Sequence, residues 1–197
     1  MIVLGLTGSI AMGKSLVSKF LKKLNIPVID LDKTVHMLYA SDTHLIETIE
    51  QYFPGSTKDG IVDRNLLSHH VIDQPKNLKK LEQLLEPFLI NEVRKFIGLS
   101  RRQRQKIVVL EVPLLFEKGY DMFCDRTLVV SAPYYLQKRR AIKRKNMSFE
   151  KFKSLVKIQM PDIEKKRKAD YVFISGLHKG EFMNQLKVIL GDVFRHA

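Results

Sequence analysis

The chain has 197 residues, of which 34 are Lys or Arg and 21 are Asp or Glu, so its formal net charge is +13 at pH 7. Hydrophobic residues make up 45% of it, which suffices for a buried core and excludes a wholly disordered chain. A single cysteine, Cys124, excludes an internal disulfide and favours a reducing compartment. MIVLGLTG does not look like a secretory signal, and no apolar run reaches the ~20 residues of a membrane span. We therefore expect a cytoplasmic protein with no membrane partner.

The first thirty residues predict a strand, a glycine-rich loop, a helix and a second strand. Apolar residues 2–7 are typical of a buried strand. From Lys14 onward, apolar residues recur at helical spacing until Asn25 and Pro27 end the pattern. Residues 26–30, IPVID, predict the second strand. This βαβ order predicts a parallel sheet with a right-handed crossover.

The loop after the first strand, GSIAMGKS at 8–15, matches the phosphate-binding pattern G-x-x-x-x-G-K-[ST]. Backbone amides and the helix N-terminus attract phosphate there, and glycines allow a close approach that a Cβ would prevent. A chance glycine turn is the alternative, but the flanking strand and helix favour the phosphate site. We expect Lys14 to contact the β- and γ-phosphates of ATP and Ser15 to bind Mg²⁺. The candidate nucleotide-binding residues of this loop are Gly8, Ser9, Ile10, Ala11, Met12, Gly13, Lys14, Ser15 and Leu16.

Two aspartates, Asp30 and Asp32, follow the second predicted strand in VIDLD. Ligands of open parallel sheets bind beyond the carboxyl ends of the strands, so we expect both at the same rim as the glycine loop. A carboxylate there could accept a proton from an attacking hydroxyl or hold Mg²⁺ through water. Alternatively, Asp32 only caps a helix that starts at Lys33. His36, four residues after Asp32, could line the acceptor pocket.

Glu111 ends a third predicted core strand, IVVLE at 107–111. A carboxylate after an apolar core strand is the Walker-B pattern, which stabilises the magnesium shell. Glu111 and Ser15 are therefore the candidate metal-binding residues. The alternative for Glu111 is an ordinary strand-end carboxylate that faces water.

Residues 33–106 contain few strand signals and predict a mostly helical insertion. A turn is expected at Asp59-Gly60, and a long amphipathic helix from Asn77 contains Pro87 as a kink or break. After the insertion, strands are expected at 126–133 and 169–175. Helices separated by a turn at 146–148 lie between these two strands, and a closing helix follows the second.

The most basic segment is KRRAIKRK at 138–145. On a helix, Arg140 and Arg144 would share a face, and two arginines on one face can clamp phosphates bidentately. The alternatives are a solvated basic face and a nucleic-acid patch. The flanking residues show no ladder of aromatics that would favour nucleic acid, so these alternatives stay open.

Several separated segments together resemble the dephospho-coenzyme A kinase family, and their order and intervals agree over nearly the whole chain. The glycine loop is shared by many families, whereas VIDLD, EVPLLFE and the QKRRAIKR segment are more specific. The segments that carry the resemblance are LTGSIAMGKS at 6–15, VIDLD at 28–32, VDRNLL at 62–67, LEPFL at 85–89, EVPLLFE at 111–117, QKRRAIKR at 137–144, QM at 159–160 and ADYVFISG at 169–176.

This resemblance implies a P-loop kinase that moves the γ-phosphate of ATP to the ribose 3′-hydroxyl of dephospho-coenzyme A, in the last step of coenzyme A biosynthesis. It also implies a three-layer α/β fold with a parallel sheet, a helical coenzyme-binding insertion at 33–106, and a small lid with its flanking helices at 136–168. The nucleotide-binding core would comprise 1–32, 107–135 and 169–197. We expect a monomer or weak homo-oligomer without a nucleic-acid partner.

The resemblance assigns roles to residues already singled out. Lys14, Asp32 and Arg140 are the expected catalytic residues, with Asp32 as general base. Arg140 and Arg144 would contact the nucleotide. We also expect Asp30, Asp32, His36 and Leu114 to bind the acceptor.

The chain departs from the family pattern at several positions. Among them, Ala11 stands for a glycine, Glu86 for a histidine and Ser175 for an asparagine. If the backbone at Ala11 has positive φ, the alanine carries strain. The competing functions are another nucleoside or nucleotide kinase and a basic nucleic-acid-binding protein regulated by nucleotide.

Overall fold

The structure is a computed structural model that describes residues 1–145, 147–176 and 178–196, with only the backbone of Lys179. Asn146, where a turn was expected to begin, lies outside the described residues. The chain divides into two compact units: residues 1–29 with 99–197, and residues 30–98. Among the described residues, no helix combines the length and apolarity that crossing a membrane requires.

A five-stranded sheet forms the centre of the first unit. Its strands are β1 (Ile2–Thr7), β2 (Val28–Asp30), β5 (Ile107–Glu111), β6 (Arg126–Ser131) and β7 (Tyr171–Ile174), while β3 (Thr57–Lys58) and β4 (Ile61–Val62) form a separate hairpin. The order of the strands in the sheet is β2-β5-β1-β6-β7. Strand β1 is parallel to β5 and to β6, and β6 is parallel to β7. The strands that the sequence predicted are therefore present and form the expected parallel sheet.

The helices follow the predicted order, but several begin or end at other residues than predicted. The helix around Pro87 is continuous, so the alternative of a break there is wrong. The helices are α1 (Lys14–Lys23), α2 (Leu31–Ser41), α3 (Thr43–Tyr52), α4 (Arg64–Val71), α5 (Pro75–Arg102), α6 (Tyr134–Ile142), α7 (Phe149–Lys157), α8 (Asp162–Lys168) and α9 (Lys179–Arg195), with a short 3₁₀ helix at Tyr120–Phe123.

One face of the sheet packs against α1 and α9. Successive side chains of a strand point to opposite faces, so every second residue of the strands contributes to this core. The buried cluster includes Leu4, Leu6, Val17, Leu21, Ile107, Val109, Leu128, Val130, Phe173, Leu186 and Val193.

The other face of the sheet is covered by the segment after β5 and by α8. At Gly5 a Cβ would lie 2.7 Å from Cys124 Sγ and 3.0 Å from Leu115 Cδ2, so the segment packs directly on β1. Ser131 Oγ, at the end of β6, donates to Asp162 Oδ2 of α8 at 2.7 Å. Helices or turns thus cover both faces, as the expected three-layer fold requires.

The second unit has its own core, formed by α2 to α5 and the β3–β4 hairpin. The hairpin turns at Asp59 and Gly60, both with positive φ, as the predicted turn requires. Its two short strands were not predicted. Buried members of this core are Leu38, Tyr39, Leu45, Ile49, Phe53, Val62, Leu67, Leu81 and Leu85.

Candidate nucleotide-binding site

The glycine loop joins β1 to α1, as predicted. Gly8 has no room for a side chain, because a Cβ there would lie 2.5 Å from the Val130 carbonyl oxygen of β6. Gly13 caps α1 with φ 99°, a left-handed conformation that favours glycine. The loop therefore lies beyond the ends of β1 and β6, where open parallel sheets bind their ligands.

Several amides of this loop make no hydrogen bond to any part of the chain that the structure describes. They belong to Ala11, Gly13, Lys14 and Ser15. The last two are the first two residues of α1, where helix geometry leaves backbone donors without intrahelical partners. Such amides, together with the positive end of the helix dipole, form an anion-binding site.

Lys14 pairs with Glu111 across two elements. Its Nζ lies 3.5 Å from Glu111 Oε1, and the two side chains are 13% and 4% exposed. The alternative of a Glu111 that faces water is therefore wrong. The lysine that was expected to contact phosphate and the carboxylate that was expected beside Mg²⁺ are neighbours, whereas Ser15 and Leu16 are exposed on the first turn of α1.

Ala11 has φ 61°, so the backbone is left-handed where the family usually has glycine. The expected strain is therefore present in this chain. Its methyl group is buried and packs with Ala141 of α6 and Phe152 of α7. This apolar contact offsets part of the backbone cost.

Two glutamine side chains bind the backbone of Ile10. The Ile10 amide donates to Gln159 Oε1 at 3.0 Å, and Gln137 Nε2 donates to the Ile10 carbonyl at 2.9 Å. These glutamines belong to the QKRRAIKR and QM segments, and the sequence suggested no role for either glutamine. Their sequence separation from Ile10 is too large for a local pattern to show the contact.

Arg140 lies against the loop, and its contact with nucleotide stays a prediction. Its Nη1 donates to Ser175 Oγ at 2.8 Å and to the Met12 carbonyl at 3.5 Å. Ser175 is buried and its hydroxyl also donates to the Met12 carbonyl. The serine that replaces the family's asparagine therefore connects the arginine to the loop.

Arg144 does not share a helical face with Arg140, and that prediction is wrong. Helix α6 ends at Ile142, and Arg144 follows it as an exposed residue in a bend. A run of basic residues at the end of a helix stabilises the carbonyl end of its dipole but does not extend the helix. Contact of Arg144 with nucleotide stays a prediction.

Glu117, the last residue of EVPLLFE, forms an ion pair with a buried lysine that the sequence did not predict. Lys165 of α8 is fully buried, and its Nζ lies 2.9 Å from Glu117 Oε1 and 3.0 Å from the Pro113 carbonyl. Glu117 Oε1 also accepts from the Met160 amide at 2.8 Å. Leu114, a predicted acceptor contact, is half-buried in the same turn.

The predicted acceptor residues Asp30, Asp32 and His36 belong to the second unit. Asp30 is the N-cap of α2, because its Oδ1 accepts from the Lys33 amide at 3.3 Å. The prediction that Asp32 caps this helix is therefore wrong, because α2 begins at Leu31 and Asp32 lies in its first turn. Asp32 and His36 are four residues apart on α2 and both are exposed.

A parallel sheet with a glycine loop, amide donors at a helix N-terminus and a neighbouring lysine defines a nucleotide-binding protein of the phosphate-loop class. The family model described as "Dephospho-CoA kinase" matches residues 2–176. A curated "Dephospho-CoA kinase" of Zymomonas mobilis is 39% identical over 191 residues, which are 97% of this chain and 96% of that protein. The chain therefore belongs to the dephospho-CoA kinase family.

Solved structures agree in fold. TT1252 of Thermus thermophilus superposes with a TM-score of 0.82 at 32% identity, covering 97% of both chains. A dephospho-CoA kinase of Campylobacter jejuni shares the fold with a TM-score of 0.72 at 24% identity, covering 98% of both chains. The P-loop kinase-like α/β fold that the sequence predicted is confirmed.

Proposed function

We propose that this chain is a dephospho-CoA kinase, which transfers the γ-phosphoryl group of ATP to the ribose 3′-hydroxyl of dephospho-coenzyme A. A bond forms between the 3′-oxygen and the γ-phosphorus, and the bond from that phosphorus to the β–γ bridging oxygen breaks. The products are coenzyme A and ADP. Membership of the family supports the reaction, and the observation that carries it in the structure is the Lys14–Glu111 pair beside the glycine loop.

Lys14 is the residue that would stay in contact with the phosphoryl group during its transfer. Its ammonium, now 3.5 Å from Glu111 Oε1, is on a flexible stem and can move to the β- and γ-phosphates when ATP binds. Charge neutralisation and positioning supply most of the catalysis in phosphoryl transfer. Arg140, whose guanidinium lies against the loop, would add a second positive charge.

The donor set fits Mg²⁺. The hydroxyl of Ser15 and the carboxylate of Glu111 are the hard oxygen ligands that this cation prefers. Among the described residues, no three His, Cys, Asp or Glu side chains cluster as a protein-only metal site would need. Mg²⁺ in kinases needs no such cluster, because substrate phosphates and water complete its shell. When bound, the cation would neutralise charge on the β- and γ-phosphates.

Asp32 is our proposed general base, which would accept the proton of the 3′-hydroxyl. It is exposed on the first turn of α2, directly after the strand that ends at Asp30. His36, one turn further along, would line the acceptor pocket with Asp30, and we propose Leu114 as a further contact of the acceptor. Asp30 has a structural role as well, because it caps α2.

The cellular setting is also part of the proposal. The lone cysteine and the two polyanionic substrates suit a cytoplasmic enzyme, and the charge of +13 attracts such substrates without requiring nucleic acid. We propose a monomer or weak homo-oligomer. Closure of a small lid within residues 136–168 over the nucleotide would exclude water from the γ-phosphate.

The test is an acceptor-dependent ADP-release assay with ATP and Mg²⁺. Dephospho-coenzyme A, adenosine, nucleoside monophosphates and buffer alone are compared at equal concentration. We expect robust ADP release only in the reaction that contains dephospho-coenzyme A as acceptor. Preference for a nucleoside monophosphate would instead make the chain a nucleotide kinase. ADP release without any acceptor dependence, together with salt-sensitive binding of RNA or DNA, would favour the nucleic-acid alternative.

A further inference from the structure

Both backbone polar groups of Ile10 are bound by side chains from outside the loop. Gln159 Oε1 accepts from the amide and Gln137 Nε2 donates to the carbonyl. A backbone N–H can only donate and a carbonyl can only accept, so the chemistry fixes which amide atom each glutamine presents. The two glutamines therefore have opposite roles at one peptide of the phosphate loop.

Neither glutamine is a loosely held surface side chain. Gln137 is only 4% exposed and lies on α6. Gln159 follows α7, and the backbone next to it is anchored because the Met160 amide donates to Glu117, the ion-pair partner of the buried Lys165. Gln137 is thus held by burial, and Gln159 is attached to an anchored part of the backbone.

Apolar packing joins the same parts of the chain. Ile10 and Ala11 of the loop pack in one cluster with Ala141 of α6 and with Phe152 and Phe149 of α7. Hydrogen bonds on the polar atoms of Ile10 and apolar contacts on its side chain therefore hold this part of the loop from outside.

Phosphate binding needs successive loop amides to converge on one point, so the orientation of each peptide matters. The Ile10 amide is already used by Gln159, which leaves the free amides of neighbouring residues for an anion. We propose that Gln137 and Gln159 are positioning residues, which hold the phosphate loop in its anion-binding shape before nucleotide arrives. The kinetic part of this inference rests on the proposed function, whereas its binding part requires only that the loop binds ATP.

Because the two glutamines have opposite hydrogen-bonding roles, the same substitution, glutamine to glutamate, should have different effects at the two positions. Gln159→Glu keeps an acceptor for the Ile10 amide, whereas Gln137→Glu places a carboxylate oxygen against the Ile10 carbonyl. Both changes add the same charge near the loop. We expect Gln137→Glu to bind Mg-ATP at least tenfold more weakly than Gln159→Glu, measured by calorimetry without any acceptor. Gln159→Met, which is uncharged and has no comparable acceptor, should also bind about tenfold more weakly than the unmodified protein.

Three controls separate positioning from general damage. Gln103→Glu, at an exposed glutamine beyond α5, should bind Mg-ATP as the unmodified protein does. Urea unfolding identifies any variant that is not folded, and Gln137→Met replaces Gln137→Glu if the latter fails to fold. In turnover assays, the KM for ATP should rise in the weak-binding variants while the KM for the acceptor stays unchanged.

Equal Mg-ATP affinity of folded Gln137→Glu, Gln159→Met and unmodified protein would overturn the positioning role. A loss at Gln159→Glu as large as that at Gln159→Met would overturn it as well, because the retained acceptor should rescue binding. If the glutamine variants bind ATP as expected but the unmodified protein does not phosphorylate dephospho-coenzyme A, the proposed function fails and the positioning role remains.

Discussion

Lys14 and Glu111 form an ion pair that joins the first residue of α1 to the last residue of β5, with Nζ 3.5 Å from Oε1. Both side chains are largely shielded from water, and the carboxylate is 4% exposed. Removing one partner of a buried pair leaves an uncompensated charge, which costs more than the pair itself contributes. The lysine therefore has a structural role in addition to its proposed contact with phosphate.

The first prediction separates these two roles. Lys14→Met should abolish phosphoryl transfer and also lower the free energy of unfolding by about 3 kcal/mol, because Glu111 is left buried without its partner. The double variant Lys14→Met/Glu111→Gln should recover most of that stability and none of the activity. Urea denaturation and ADP release measure the two effects. A single variant as stable as the unmodified protein would show that Glu111 does not depend on Lys14.

The second prediction distinguishes the two aspartates of VIDLD. Asp32→Asn should lower turnover by about 10²–10⁴-fold, since the general base is lost, while Mg-ATP affinity is unchanged. Asp30→Ala should lower the free energy of unfolding by about 1 kcal/mol because the cap of α2 is lost, and Asp30→Asn, which also caps helices, should not. A larger loss of turnover in Asp30→Asn than in Asp32→Asn would assign the base to Asp30.

The third prediction concerns the left-handed Ala11. Ala11→Gly relieves a backbone cost of about 1–2 kcal/mol but removes a buried methyl group and adds freedom to the unfolded chain. These effects oppose each other, so the free energy of unfolding should change by less than about 1 kcal/mol. Ala11→Val should be much less stable, because a β-branched residue is strongly disfavoured at positive φ. Equal stability of the alanine and valine proteins would mean that the loop does not hold φ 61° in solution.

The fourth prediction concerns Cys124. Burial, followed by the nearby carboxylates of Asp121 and Asp125, raises the pKa of its thiol to about 12. At pH 8 only about one molecule in 10⁴ then carries the reactive thiolate, so the folded protein should react with a thiol reagent far more slowly than the protein in urea. Equal rates of thiol modification in the folded protein and in urea would show that Cys124 is not shielded in this way.

The same thiol gives stability a pH dependence of known sign. The pKa is higher in the folded protein than the ordinary value of 9.0, so the unfolded chain loses its proton first. Stability from this group is fully present below about pH 9 and falls as the pH rises toward 12. Comparing urea midpoints of the unmodified protein and Cys124→Ala across this pH range measures how much the titration of this thiol changes the free energy of unfolding.

Local patterns were sufficient to predict the sheet and the glycine loop. A buried strand, a spaced glycine pair and an amphipathic helix are each encoded within a few residues, so β1, residues 8–15 and α1 were predicted in place. The helix caps were less predictable, because Asp30 and Asp32 are chemically equivalent caps in sequence and only the backbone geometry distinguishes them. The extent of α6 was overestimated because basic residues are favourable both within a helix and just beyond its end, so the sequence does not show where the helix stops.

The contacts that shape the loop could not be predicted from local patterns. Gln159 lies 149 residues from Ile10 in the chain, and Ser175 lies 163 residues from Met12. Nothing in the residues around either position indicates these contacts, which depend on how α6, α7 and β7 pack. The family resemblance drew attention to the glutamines and to Ser175, but their physical role came only from the three-dimensional structure.

The central claim is tested most directly by isolating the product of a reaction with ATP, Mg²⁺ and dephospho-coenzyme A. Mass spectrometry and phosphorus NMR of this product would show how many phosphoryl groups were added and to which oxygen. We predict a single added phosphoryl group, present as a monoester on the ribose 3′-oxygen, with one ADP formed for each. A product phosphorylated elsewhere, or an acceptor recovered unchanged while ATP is hydrolysed, would contradict the account.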